Sequence, residues 1–419
     1  MAISSGAVEP TRQIRLPVRL TFAALLAGLA IGWALSGSSA AGPVQAVAGP
    51  VGTLWLRGLQ MTIVPLISAL LVAGIVRMVA AAQAGVMARR TLVAFASVWA
   101  GSVAIGAFGM PALLAAFPIP AGASSALTFG DAASQPVPGL GAFFESLVAA
   151  NVVAAAAQTA MLPLVVFFVA FAVAITRLRE DHRELLVRLF DALGQAMLTI
   201  IGWVLRIAPL GVFALALGVG LGSRGAAFAA LGHYIVLVTL LGFAVLIAAY
   251  LIGTVAARRS LPSFVRAMLP ADAVAFSTQS SLASLPAMLH SCRLLGVRET
   301  TADFVLPLAV AVFRATGPAM NLGVAIYVAA LAGVELTPAT IGVGAAVAML
   351  TTIGSVSLPS AVSFITSIGP IALAMGVPIE VLGILIAVEM LPDLMRTIGN
   401  VTMDVAVTAT VDRSTADSD

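Results

Sequence analysis

Apolar runs of about 18 or more residues, the length that crosses a hydrocarbon core of about 30 Å, recur along the whole chain. Hydropathy and breaker residues place the first six near 16–36, 54–80, 91–117, 142–177, 188–220 and 226–256. The first follows Arg12, Arg15 and Arg19 and ends near Ser38-Ser39-Ala40, which is also the outline of a secretory signal. With further spans behind it, the run from Leu20 to Leu35 reads instead as a retained first membrane helix, completed by flanking residues from Leu16 onward. The connector 118–141 is rich in Pro, Gly and Ser, carries Asp131 as its one charge, and reads as an external surface loop.

Beyond residue 260 the apolar segments shorten, and small polar clusters interrupt them. FSTQSSLASLP (Phe276 to Pro286) and TTIGSVSLPS (Thr351 to Ser360) each lie between apolar arms too short to span comfortably. Non-helical backbone is tolerated inside a bilayer only where protein or a cavity surrounds it. The pair therefore predicts two re-entrant hairpins, over 263–292 and 336–375. Each precedes a helix with polar residues inside it: 302–332, broken by FRATGPAMN (Phe313 to Asn321), and 378–410, which carries EMLPDLMRTIGNVTMD (Glu389 to Asp404). Hairpin plus interrupted helix, twice over, has the form of an inverted repeat and points to a midplane binding site of a secondary transporter.

Composition agrees with this pattern. Of 419 residues, 61% are hydrophobic and 9% charged, against about 25% charged in an ordinary soluble domain, so the expected class is an all-α polytopic membrane protein. Every basic residue is Arg, and the arginines cluster before the first span and after the second, fourth and sixth: Arg77, Arg89 and Arg90, then Arg177, Arg179 and Arg183, then Arg258, Arg259 and Arg266. Short cytoplasmic loops are enriched in basic residues. That rule places the N-terminal segment 1–15 and the tail 411–419 in the cytoplasm of a protein of the cell inner (plasma) membrane. The net charge of +3 forms no basic patch, so no nucleic acid partner is expected. The single Cys292 excludes intrachain disulfides and multi-cysteine metal sites, and three scattered histidines add no metal cluster.

Residues three and four apart share a face of an α-helix, and Glu389, Asp393, Arg396, Asn400 and Asp404 are spaced in that way. A charge at the bilayer centre costs roughly 2.5 to 3.5 kcal/mol on insertion scales, so such groups face the protein interior and serve a function by default. A structural ion pair of Asp393 with Arg396 is the plainer reading, but it leaves Glu389, Asn400 and Asp404 without a role. Pro392, inside the helix, is expected to free one backbone carbonyl. Asp393 with Arg396 complements a zwitterion bearing a further carboxylate, the acid taking an ammonium and the guanidinium a carboxylate in a planar fork. Asn400 and Asp404 offer oxygens of the kind sodium needs.

DLMRTIGNVTMD resembles the last-helix motif of the glutamate and neutral amino acid transporters and their bacterial homologues, the dicarboxylate/amino acid:cation symporters. LRGLQMTIVPLISALLVAGI (Leu56 to Ile75), MLPLVVFFVAFAVAI (Met161 to Ile175) and IAPLGVFALALG (Ile207 to Gly218) are similar to that family's second, fourth and fifth helices. STQSSLASLP and IGSVSLP are similar to its two hairpin tips. The resemblance implies eight transmembrane helices plus two re-entrant hairpins in an elevator fold, assembled as a homotrimer in the lipid bilayer. Scaffold helices would occupy 16–80 and 142–220. The moving transport domain would hold 91–117, 226–256, 263–292, 302–332, 336–375 and 378–410. It further implies that Asp393 binds the substrate amino group, Arg396 its side-chain carboxylate, Thr397 and Asn400 its backbone, and Ser280 and Ser281 its main carboxylate. A sodium ion would lie at Asn400 and Asp404, with Gly317 contributing to cation binding, and Gly354, Ser355, Ser357 and Pro359 would form the gate of the second hairpin.

One departure changes the picture. The family's seventh helix carries an Asn-Met-Asp-Gly-Thr break that holds sodium, whereas the corresponding stretch here is FRATGP, with Arg314 and no carboxylate from Phe304 to Gly333. Gln279 stands where many bacterial members have arginine. Arg314 is thus expected to act as a built-in cation, with sodium dependence reduced or replaced by proton coupling through Glu389. Alternatively, Arg314 pairs with Glu389 or Asp404 while sodium binds elsewhere. The expected activity is uptake of aspartate or glutamate with Na+ or H+ as coupling ion and no other cofactor. A C4-dicarboxylate substrate and an anion-conducting, channel-like member of the same fold are the alternatives. An intramembrane serine hydrolase is not expected, because neither His182 nor His290 is placed as the base that Ser280 or Ser281 would need.

Overall fold

The structure, a computed structural model, describes residues 18–82, 85–123, 145, 148–223, 226–354 and 360–416. The N-terminal segment 1–15, most of the connector 118–141, the gate residues Ser355, Ser357 and Pro359, and residues 417–419 lie outside them. Among the described residues every regular element is helical.

The order is α1 (Val18–Leu35), α2 (Ala41–Gln60), α3 (Ile63–Ala82), α4 (Val86–Ala116), α5 (Val152–Ala157), α6 (Met161–Ile175), α7 (Glu180–Arg206), α8 (Ala208–Ser223) and α9 (Ala226–Leu251), which ends in a π turn over Ile252–Ala256. Then come α10 (Leu261–Thr278), α11 (Ser281–Leu294), α12 (Glu299–Val312), α13 (Gly317–Leu331), α14 (Pro338–Gly354), α15 (Ser360–Ala374), α16 (Leu382–Leu385) and α17 (Met390–Ala416). Five stretches are long and apolar enough to cross a membrane: Ala41–Ala80, Val86–Ala116, Glu180–Arg206, Ala226–Ala256 and Glu299–Leu331. Five shorter apolar helices accompany them.

Several expected spans are divided, each for a local reason. The run 54–80 begins earlier, at Ala41, and bends at Met61 and Thr62 between α2 and α3. Gly42, Pro43, Gln45 and Pro50 dilute the hydropathy of that first half, although Pro43 sits in the first turn, where its missing N–H removes no helical bond. The run 142–177 is broken between α5 and α6, where Thr159 takes a left-handed φ of 56°. The run 188–220 starts at Glu180, because the charged opening of α7 hides it from hydropathy, and breaks at Ile207 before Pro209. The segment 378–410 is likewise not one helix: α16 is short, and α17 begins at Met390. Pro392 therefore lies in a first turn rather than an interior. The expected freed carbonyl is absent, since the carbonyl of Val388 accepts from Leu391 N at 3.3 Å.

The packing places α17 at the centre of a second group of helices. α8 packs against α1 and α2, and α3 against α6 and α7. α17 packs against α4, α9, α10, α11 and α12, while α13 lies on α4 and α9. The paired arms α10 and α11 lean on α17, and the paired arms α14 and α15 lean on α13 and α3. The far end of α17 is tied down by Asp412, whose Oδ1 accepts from Arg298 Nε and Thr301 Oγ1, both at 2.8 Å.

The approach of α1 to α8 depends on glycine. A Cβ on Gly28 would lie 2.6 Å from the carbonyl oxygen of Phe213, and one on Gly220 2.5 Å from that of Leu29. Small residues let backbones meet in this way where lipid supplies no hydrophobic drive between helices. Gly28→Val should therefore cost about 1 to 3 kcal/mol by overpacking, read as a lowered unfolding temperature of the detergent-solubilised protein. An unchanged transition would show that α1 and α8 have room to separate.

Candidate functional site

The polar face expected on the last helix forms, with Glu389 at its N-terminal edge. The carbonyl of Glu389 accepts from Asp393 N at 2.9 Å, so the helical spacing carries through although α17 starts one residue later. Arg396 is 7% exposed and Glu389 1%. The guanidinium of Arg396 donates through Nη2 to Glu389 Oε1 at 2.7 Å and through Nη1 to Asn321 Oδ1 at 2.6 Å. Its Nε lies 3.4 Å from Asp393 Oδ1. Tyr234, on α9, donates its hydroxyl to Glu389 Oε2 at 2.9 Å. Arg396 is thus met by two carboxylates and an amide, which is what a charge taken out of water requires.

Opposite this cluster, the break between α12 and α13 is closed from within. A broken helix exposes carbonyls that no longer have an intrahelical donor. Here Trp99 Nε1 donates to the carbonyl of Phe313, Gly317 N to that of Arg314 at 2.9 Å, Ser102 Oγ to that of Ala315 at 2.6 Å, and Met320 N to that of Thr316 at 3.0 Å. Ser102 Oγ also accepts from Ala319 N at 3.0 Å. Phe95 stacks on Phe313 with centroids 4.0 Å apart, which fixes the break against α4. Arg314 itself takes a left-handed φ of 37°, a conformation rare for a residue with a Cβ. Its charge acts on the carboxylates of Asp393 and Asp404 and on the guanidinium of Arg396.

The break is also stitched to α17. Thr316 donates from both its backbone N and its Oγ1 to Asn400 Oδ1, each at 2.9 Å. The single proton of Thr316 Oγ1 has a second acceptor in the carbonyl of Arg396 at 3.2 Å, so the backbone N–H is the donor that Asn400 Oδ1 always keeps. Of the two expected sodium ligands, Asp404 keeps its Oδ1 buried and without a hydrogen-bond partner among the described residues. Among those residues no group of three His, Cys, Asp or Glu side chains is gathered in the manner of a metal site. Gly317 opens α13, where an added Cβ would lie 3.0 Å from Thr352 Oγ1 of α14.

Ser280 caps α11, its Oγ accepting from Ala283 N at 3.3 Å, and Ser281 is the first residue of that helix. Gln279, in the left-handed region at φ 51°, reaches from this turn to the carbonyl of Met390 at 3.5 Å, which brings the turn to the start of α17. Thr397 is buried on α17, and Gly354 is the last residue of α14. The structure thus brings together Glu389, Asp393, Arg396, Asn400, Asp404 and Arg314. It also adds Tyr234, Asn321, Thr316, Trp99 and Ser102. Tyr234 lies in the apolar run of α9 beside His233, with no repeat or spacing that ties it to the last helix. Asn321 belongs to the polar break, and that was its only signal.

All-helical architecture, apolar helices and a buried charged cluster around an interrupted helix define a membrane transporter. Residues 18–414 match the Sodium:dicarboxylate symporter family, and the chain belongs to that family, a family of symporters and not of enzymes. It is similar to the Proton/glutamate-aspartate symporter of Escherichia coli (strain K12), with 28% identity over 366 residues covering 84% of this chain and 82% of the relative. It is also similar to the Proton/sodium-glutamate symport protein of Bacillus subtilis (strain 168), 27% identical over 368 residues, 84% of this chain and 82% of the relative. The human Neutral amino acid transporter B(0) is 28% identical over 444 residues, 96% of this chain and 80% of the relative.

Ser102 supplies a donor and an acceptor to a buried break, so Ser102→Ala should leave the Ala315 carbonyl and the Ala319 amide unsatisfied. The expected cost is about 1 to 3 kcal/mol, measured as a fall in the thermal transition. Ser102→Thr, which keeps the hydroxyl, should recover most of it.

Proposed function

We propose that this chain is a secondary active transporter that takes up an acidic amino acid, aspartate or glutamate, by an elevator movement within a homotrimer. The observation that carries the reading is the buried guanidinium of Arg396, already holding the carboxylate of Glu389 at 2.7 Å. Glu389 stands where a substrate side-chain carboxylate would bind. An incoming acidic substrate displaces it, places its ammonium against Asp393, and meets Asn400, Thr397 and the hairpin residues Ser280 and Ser281 with its main chain. Gly354, Ser355, Ser357 and Pro359 of the second hairpin serve as its gate.

Displaced Glu389 keeps Tyr234 but loses its cation. An unpaired buried carboxylate costs several kcal/mol and is neutralised by a proton instead. Each substrate carboxylate that takes Arg396 thus brings one proton onto Glu389, and the proton leaves when Glu389 returns to Arg396. Arg314 supplies a fixed positive charge beside Asp393 and Asp404, and each carbonyl of the break already accepts an internal hydrogen bond. A hard cation needs several oxygens, and the fixed charge of Arg314 beside these carboxylates repels a second cation there. The coupling ion is therefore H+, with little requirement for Na+.

A second reading follows from the same pair: a neutral amino acid binds while Glu389 stays on Arg396. Competition of labelled aspartate uptake by unlabelled aspartate and by alanine separates the two.

In proteoliposomes, aspartate uptake should persist when sodium is replaced by choline and should rise with an inward proton gradient. Complete loss in choline overturns the coupling. Glu389→Gln should still bind aspartate but lose the response to the proton gradient, cutting gradient-driven accumulation by at least about tenfold, the equivalent of roughly 1.4 kcal/mol.

A further inference from the structure

A second acid, outside the cluster just described, sits at a junction of three elements. Asp272 lies on α10, and its Oδ1 is 2.9 Å from Thr402 Oγ1 on α17, while its Oδ2 is 3.5 Å from the hydroxyl of Tyr250 on α9. Its side chain is half-buried. α10 packs against α11, α17 and the π turn. From these elements and from α9, Tyr250 is the titratable group that meets Asp272, and no Arg or His pairs with it among the described residues.

The hydrogen bonds can be counted. Thr402 Oγ1 carries a single proton, yet two acceptors lie at the same distance from it: Asp272 Oδ1 and the carbonyl of Ile398, both at 2.9 Å. With Asp272 ionised, one of the two contacts has no proton in it. With Asp272 protonated on Oδ1, the acid donates to Thr402 Oγ1, Thr402 donates to the Ile398 carbonyl, and Tyr250 still donates to Oδ2. Only the protonated acid completes the chain. A half-buried carboxylate with no cation partner favours the same state.

We propose that Asp272 is a second proton-carrying site of this transporter, whose proton ties the arm α10 to α17. The same arm carries Ser280 and Ser281 at its turn. When α10 moves off α17, the acid loses Thr402, meets water and releases the proton; when the arm returns, a proton is taken up. The junction lies towards the end of α9 that precedes Arg258 and Arg259, the side that the arginine pattern assigns to the cytoplasm, so the proton exchanges with that side. This step rests on the transporter reading but not on Glu389.

Two measurements on the full-length protein in lipid test it. Infrared spectroscopy at neutral pH should show a protonated carboxylic-acid carbonyl band that disappears in Asp272→Asn and survives in Glu389→Gln. Thr402→Val should keep that band and shift its frequency, because the acid then lacks its acceptor. In proteoliposomes sorted by orientation, aspartate exchange should change several-fold as the pH on the cytoplasmic side is varied at fixed external pH, and Asp272→Asn should flatten that profile. An identical band in wild type and Asp272→Asn, or an unaltered cytoplasmic pH profile in that variant, overturns the proposal. If aspartate is not exchanged at all, the transport reading fails while the infrared result still decides the protonation of Asp272.

Discussion

A guanidinium enclosed by protein has to be met by negative charge, and the arrangement around Arg396 is the consequence. Removing one partner from a buried ion pair is far more costly than the net worth of the pair, because it strands the other charge. Asp393 comes from α17, Asn321 from α13 and Glu389 from the turn that leads into α17, with Tyr234 fixing Glu389 from α9. The cluster therefore binds α17, α13 and α9 into one body. Any anion that takes one of those places displaces charge that must go elsewhere.

The break between α12 and α13 obeys the complementary rule for the backbone. Carbonyls freed by a discontinuous helix need donors or cations. In this chain α4 supplies donors through Trp99 and Ser102, α17 answers the amide and hydroxyl of Thr316 through Asn400, and Arg314 contributes a fixed positive charge. Three carboxylates, Glu389, Asp393 and Asp404, stand with two guanidiniums, Arg396 and Arg314. The balance leaves one formal negative charge. The left-handed φ of Arg314 is held because the stacked Phe95 and Phe313 and the Trp99 bond over-determine the segment on either side.

Where the hydrophobic pattern is strong, the sequence could be read directly. α1, α4 and α9 overlap the apolar runs 16–36, 91–117 and 226–256, although α4 begins at Val86, and the interruption between α12 and α13 lies within the polar stretch Phe313 to Asn321. The reading failed where breakers or charges sit inside an element. The first half of α2 is diluted by glycine and proline, the start of α7 is masked by charge, and the segment before Met390 is turns and a short α16 rather than continuous helix. Hydropathy averages over such features, while hydrogen bonding and capping settle them residue by residue.

The site divides along the same line. Periodicity is a local property, so the sequence alone determined that Glu389, Asp393, Arg396, Asn400 and Asp404 share one face, and composition determined that the face lies in an apolar interior. Which partner each takes is a matter of contacts between residues far apart in the chain. The pairing of Tyr234 with Glu389, of Asn321 with Arg396, of Thr316 with Asn400 and of Asp272 with Thr402 spans separations of 155, 75, 84 and 130 residues. Spacing along one helix fixes directions, but the choice of partner for a buried charge depends on which donors and acceptors the packing brings within about 3 Å, and only the tertiary structure decides that.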